Sequence, residues 1–176
     1  PPSDAECTVE KIAINAVMAG AQAQSLPLII AALEAMADPD FELFGLNATT
    51  APVIPLTLVN GPIRNTLNIP YKHGCLGGAP STSVAAGRAI RLIIKNIAGQ
   101  EVNVTCQTTF GSPGRIAGIV FGEWEERSPW APFAERRGVT GDAVSVYGTM
   151  GTQNIIDTTS QKGPEFLEMI GKSLAY

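Results

Sequence analysis

The residues best suited to chemistry fall within Tyr71 to Thr82, which reads YKHGCLGGAPST. This stretch holds the only histidine of the chain, His73, and a cysteine two residues on, Cys75. It also holds Gly74, Gly77 and Gly78, and ends at Ser81 or Thr82, either of which suits a helix cap. A glycine-rich loop running into a helix start gathers backbone N–H groups and the positive end of a helix dipole. An anionic substrate group or a developing oxyanion is stabilised at such a point. His73 is the candidate acid or base, because an unperturbed imidazole titrates near neutrality. Cys75 sits where a thiolate is favoured. The pair also makes two candidate ligands for a divalent metal such as zinc, with Glu123, Cys106 or a partner-chain residue completing the set. The competing reading is a passive loop ahead of a well-capped helix, with a bystander histidine and a small buried thiol.

A second cluster reads Gly122-Glu123-Trp124-Glu125-Glu126-Arg127-Ser128-Pro129-Trp130. It follows an apolar run that reads as a strand, and ligands of open α/β sheets sit beyond the carboxyl ends of strands. Alternation along a strand end puts Glu123 and Glu125 on one side. Paired carboxylates act as a general base or hold a metal; a solvated charged turn is the plainer alternative. Trp124 is a candidate substrate contact, and Arg64, beside the loop, is either a bidentate anion-binding side chain or a partner in a surface salt bridge. Arg136 and Arg137 either bind an anionic group or neutralise the glutamates. Arg88 and Arg91 read as a solvated helix face.

Other chemistries lack their signatures. There is no G-x-S-x-G, no G-x-G-x-x-G and no P-loop ending, so neither a nucleophile elbow nor a nucleotide cofactor is expected. The net charge of −4 speaks against nucleic acid as a partner. No apolar run is long enough for a membrane span, and no signal peptide is expected. Three cysteines without a C-x-x-C suit a reducing compartment, so a cytoplasmic location is expected. Charged residues make up only 16% of the chain against 45% hydrophobic, which points to surface covered by a second subunit or another copy.

The elements that must position these groups follow from periodicity. Lys11 to Ala19 reads as a buried strand, with Ile12, Ile14, Ala16 and Met18 alternating. Leu26 to Ala37 reads as a helix behind Ser25, stopped by Asp38-Pro39. Phe41 to Leu46 and Val53 to Val59 read as strands, although Pro55 argues against a central place for the latter. Ile63 to Leu67 makes a short helix, and Ser81 to Ile97 a long one with Ala86, Ile90, Ile93, Ile94 and Ile97 as its buried stripe. Val102 to Thr109, Arg115 to Trp124 and Asp142 to Thr149 read as strands, with a helical turn near Phe133. An amphipathic helix follows Gly163-Pro164. The expected fold is one α/β domain over residues 1–176, a sandwich of a parallel or mixed sheet flanked by helices, with residues 1–10 as a loose tail.

Four segments carry a family resemblance: Ala13 to Gly20 (AINAVMAG), Val59 to Arg64 (VNGPIR), Gly87 to Leu92 (GRAIRL) and Glu125 to Pro132 (EERSPWAP). Over roughly Lys11 to Ser145 the chain resembles an uncharacterised bacterial family, the domain that accompanies the UGSC (seleno)protein module. The resemblance implies a shared fold and a catalytic role beside a second module or subunit. The family pattern carries a cysteine soon after the first segment, where this chain reads Ala21-Gln22-Ala23-Gln24.

Together these features lead to a catabolic enzyme subunit of hydrolase or lyase type. It would activate water through His73, Glu123 or a metal they hold, against a small activated organic molecule such as an electron-poor aromatic ether. A thiol-dependent reductase using Cys75, and a non-catalytic subunit of a hetero-oligomer, are the alternatives.

Overall fold

Thr8 and Gly20 bracket the first element. Thr8 Oγ1 accepts from Lys11 N, and Gly20 adopts the left-handed conformation that ends a helix. Between them Val9–Ala19 is a helix, α1, not the strand that alternation suggested. Its buried residues Ile12, Asn15, Ala16 and Ala19 follow the helical period, while Ile14, Val17 and Met18 are exposed. Exposed apolar side chains mimicked a second buried face. Of the expected loose tail, Val9 and Glu10 already belong to α1, and Ser3 is tied down by its N donating to Ala98 O at 3.0 Å and its Oγ to Ile97 O at 2.6 Å.

The computed structural model describes residues 2–77 and 81–175, Ser81 by its backbone alone. Helix α2, Leu26–Ala37, forms as its proline and apolar period predict. Phe41 to Leu46 is not a strand: a tight turn at Pro39–Phe41 leads into helix α3, Leu43–Ala48, with Glu42 accepting from Gly45 N. Strand β1, Ile54–Asn60, is followed by helix α4, Ile63–Thr66, and helix α5, Ser81–Asn96. Val102 to Thr109 is a hydrogen-bonded turn with a single bridge from Val102 to Cys106, and both Val102 and Val104 are exposed. The run from Arg115 divides into helix α6, Gly114–Ala117, and strand β2, Ile119–Gly122. Helix α7, Phe133–Arg136, strand β3, Ala143–Thr149, and helix α8, Gly163–Leu174, complete the chain.

The fold is mixed α/β, with a three-stranded mixed sheet in the order β2-β1-β3. β1 is central, parallel to β2 and antiparallel to β3. Pro55 fits because pairing with β2 begins only at Leu56, so its missing N–H lies outside that ladder. Val59, Val120, Val144 and Val146 point from one sheet face into a core shared with α2 and α5. Helix α1 packs in turn on α5 and α2. Ala86, Ile90, Ile93, Ile94 and Ile97 are buried as expected, whereas Arg91, read as solvated, is buried beside them. The opposite sheet face carries Leu56, Leu58, Ile119 and Phe121 half-buried and Tyr147 37% exposed. No residue of α8 is buried. No helix among the described residues is long and apolar enough to cross a membrane.

Candidate active site at the strand ends

β1 and β2 run parallel and finish together, so Asn60 and Glu123 emerge side by side at their carboxyl ends. Glu123 N donates to Val59 O at 3.0 Å and Gly122 N to Pro70 O at 2.9 Å, which pins the end of β2 to β1 and to the loop after α4. Gly122 has to be glycine. A Cβ there would meet Arg64 Cδ and Tyr71 Cβ, each at 2.8 Å.

That gap admits Arg64, 3% exposed. Its Nε donates to Gly61 O, its Nη1 to the Glu123 carbonyl, and its Nη2 to Glu125 Oε2 at 2.9 Å and Glu126 Oε1 at 3.0 Å. The Tyr71 ring lies 4.5 Å from the guanidinium carbon. Of the two readings, a substrate grip or a salt bridge, the ion pairs fit the second, although Arg64 is buried and not at the surface; four of its five N–H groups are committed within the protein. It positions the glutamates.

Asn60, 1% exposed, completes the arrangement. Its Nδ2 donates to Glu123 Oε2 at 2.7 Å and to Glu125 Oε1 at 2.8 Å. Gly61 N adds a 2.8 Å bond to Glu125 Oε1, and Phe133 N a 2.7 Å bond to Glu123 Oε2. Glu125 therefore has both oxygens engaged. Glu123 has one oxygen fixed by two donors, and among the described residues nothing donates to its Oε1. Glu123 and Glu125 thus share one site, joined by Asn60 and not by strand alternation, since β2 ends at Gly122 and Glu125 opens a helical turn, and they differ in what they can still accept.

The surroundings of Glu123 are aromatic and cationic. Phe133 meets Tyr147 edge to face at 5.7 Å, and Arg136 and Arg137 lie over Phe133 at 5.3 and 5.1 Å. Burial pushes the Tyr147 phenol above its ordinary pKa, and the Glu123 charge adds to the rise against the pull of Arg137 and Arg136. Glu126 is held below the usual glutamate range by its own backbone N–H and by Arg64. Its share of stability is therefore present above the unfolded glutamate pKa and fades as pH falls through the lowered value. Acid titration of the fold should show a slightly earlier loss in Glu126→Gln; identical acid limbs would mean that this pairing contributes nothing.

The other predicted residues separate into two places. His73 is exposed, with its ring edge on Trp124 at 5.2 Å, and Arg127 lies 5.8 Å from the same indole. His73 and Trp124 thus flank the glutamate cluster. Cys75 and Gly77 turn away. They line a separate cavity of about 760 Å³ with Ser83, Ser112 and Gly118, and the buried hydroxyls of Ser83 and Ser112 have no partner among the described residues. Gly74 lies in the turn between the two, with a left-handed φ of 71°. Gly78 and the Ser81 side chain lie outside the described residues. No three His, Cys, Asp or Glu side chains among the described residues converge on a point that could hold a metal ion.

Sequence reasoning passed over Asn60 and Phe133. The signal for Asn60 was an amide closing a strongly apolar strand directly before Gly61-Pro62. Phe133 acts through its backbone N–H, which no side-chain pattern announces.

The fold and this cluster define a mixed α/β protein with a carboxylate site at parallel strand ends. Compared with known protein families, with characterised proteins and with solved structures, the chain matches none.

Proposed function

We propose that the chain is a catabolic enzyme subunit of hydrolase or lyase type in which Glu123 activates water against a small, activated organic substrate. The observation that carries this reading is the asymmetry at Glu123: one oxygen is fixed by Asn60 and Phe133 N, and the other is left to accept a proton from water. Water loses a proton to Oε1 and attacks an electron-poor carbon. The bond to the leaving oxygen breaks, and the proton on Glu123 passes to the departing alkoxide. Arg136 and Arg137 lie near enough to the aromatic pair to balance negative charge that develops on the substrate. The Phe133–Tyr147 pair suits a flat ring, which favours an electron-poor aromatic ether as the substrate class. His73, exposed beside Trp124, is a second proton carrier at the rim.

The exposed apolar residues of α1 and the absence of burial along α8 support work beside a second subunit or copy. The same surfaces suit the alternative of a non-catalytic subunit. The resemblance to the UGSC-associated family also favours a partner. Three unpaired cysteines suit the cytoplasm. The cavity beside Cys75 favours the thiol-dependent reductase as a second reading.

The test is methanol release from a panel of methoxyarenes bearing ring acyl or nitro groups. Glu123→Gln should lower turnover by about a hundredfold or more, the range for loss of a general base. Full turnover in Glu123→Gln, or loss of activity on alkylation of Cys75 instead, would sink the carboxylate mechanism.

A further inference from the structure

A second site lies away from the strand ends, in a groove of about 760 Å³ between the last two turns of α5, the Gln100 to Cys106 turn and the start of α6. Four cations line it: Arg88, Arg91, Lys95 and Arg115. One carboxylate, Glu101, shares the groove. Among the described residues none of the four cations forms an ion pair.

Neutral acceptors fix the two inner guanidiniums. Arg91 is 9% exposed; its Nε donates to Arg115 O at 2.9 Å and its Nη2 to Gln100 Oε1, while Gln100 Nε2 donates on to Asn47 Oδ1 at 2.8 Å. Arg115 Nη1 donates to Cys106 Sγ at 2.8 Å, and its Nη2 reaches Ala51 O at 3.5 Å. Orientation is thereby set without removing charge. Each guanidinium also keeps a buried nitrogen with no partner among the described residues, Nη1 of Arg91 and Nε of Arg115. Such groups cost free energy unless something accepts from them.

We infer that this groove is a binding site for a compact phosphate dianion, either inorganic phosphate or the phosphate of a small monoester. Two guanidiniums held on one groove, each keeping N–H donors beyond those used in the bonds above, suit the several acceptor oxygens of a phosphate, and Arg88 and Lys95 add charge to the same groove. The electrostatics agree with the geometry. Burial and then the neighbouring Arg115 charge pull Arg91 down to about 10, and a bound anion offsets the second of these. Burial raises the Cys106 thiol, but hydrogen bonds from Thr108 and then the bond and charge of Arg115 outweigh it and hold the group below its ordinary pKa.

The experiment is calorimetric titration of the full chain with inorganic phosphate at pH 8 and fixed ionic strength, with malonate and glycerol phosphate as parallel arms. Saturable one-to-one binding of phosphate, weakened at least about tenfold in Arg91→Gln and in Arg115→Gln, is the expected result. Tighter binding of glycerol phosphate than of phosphate would identify the monoester as the natural form. Equal binding by wild type and both variants would place the anion elsewhere and overturn the inference, as would malonate binding more tightly than phosphate. Should either variant fail to fold, the wild-type titration still decides, because no saturable heat with phosphate overturns the site. None of these outcomes depends on turnover at Glu123.

Discussion

Gly118→Ala is expected to destabilise the protein by about 4 kcal/mol or more, at the exceptional end for a single substitution. Two independent costs combine. Gly118 has φ 67° and ψ 176°, a region that is essentially glycine-only and costs other residues about 1–3 kcal/mol. A Cβ there would also lie 2.6 Å from the carbonyl oxygen of Gly87 and 2.7 Å from its carbonyl carbon and Cα. Those are backbone atoms in the middle of α5, and they have no rotamer with which to yield. The contact is mutual, since a Cβ on Gly87 would lie 2.4 Å from Ala117 O. This pair of glycines sets how closely α5 approaches the entrance of β2. Gly138→Ala is the control. It has a similar φ of 81° but open space around the missing Cβ, so it should cost only about 1–2 kcal/mol. Denaturant midpoints of the two variants measure the difference. Equal losses would show that the α5–β2 crossing is looser than the glycines imply.

Arg64→Met should cost about 3 kcal/mol, the lower end of the range for removing one partner of a buried ion pair. The methionine fills much of the space, so the loss reports charge and hydrogen bonding. Glu125 keeps Asn60 and Gly61 as donors and its side chain is 18% exposed, which places the effect at the lower end. Adding Glu125→Gln to Arg64→Met should recover part of the stability, because the unbalanced carboxylate is then gone. A loss well under about 1 kcal/mol would put the pair among ordinary surface salt bridges. Arg64→Lys should not rescue fully, because an ammonium cannot serve Gly61 O, the Glu123 carbonyl and two carboxylates from one plane.

Much of the architecture was legible where one period dominated. α2, α5 and α8 each show helical spacing with a proline or a glycine at a boundary, and β1 and β3 show β-prone runs ending at turns. α1 was misread because two periods coexist in it. Ile12, Ile14, Ala16 and Met18 alternate, yet only Ile12 and Ala16 of these are buried. Thr8 and Gly20 carried the correct signal as caps. Val102 and Val104 misled in the same way, as exposed apolar residues in a turn. At the site, Glu123 and Glu125 were visible as an alternating pair after an apolar run. Their true partners were less so. Arg64 stayed open between a ligand clamp and a surface salt bridge because its sequence neighbourhood cannot reveal that Gly122, 58 positions on, opens a buried slot for it. Arg91 was assigned to solvent on the helical wheel, and only the fold brings Gln100 and the Arg115 carbonyl to it.

The central place of β1 has a kinetic consequence. Its partners are Ile119 to Gly122 on one edge and Ala143 to Thr149 on the other, so no strand pairs with a near neighbour in sequence. During synthesis β1 emerges long before either partner exists, and its apolar residues wait until the chain has grown past Thr149. The helical layer of α1, α2 and α5 is complete by Asn96 and can collapse first. Closing the sheet is then the slow step, because distant segments must meet before their contacts repay the loop entropy. Chains interrupted between Asn96 and Thr149 would expose both the unfilled helical layer and an unpaired β1, which makes that interval the one most prone to aggregation.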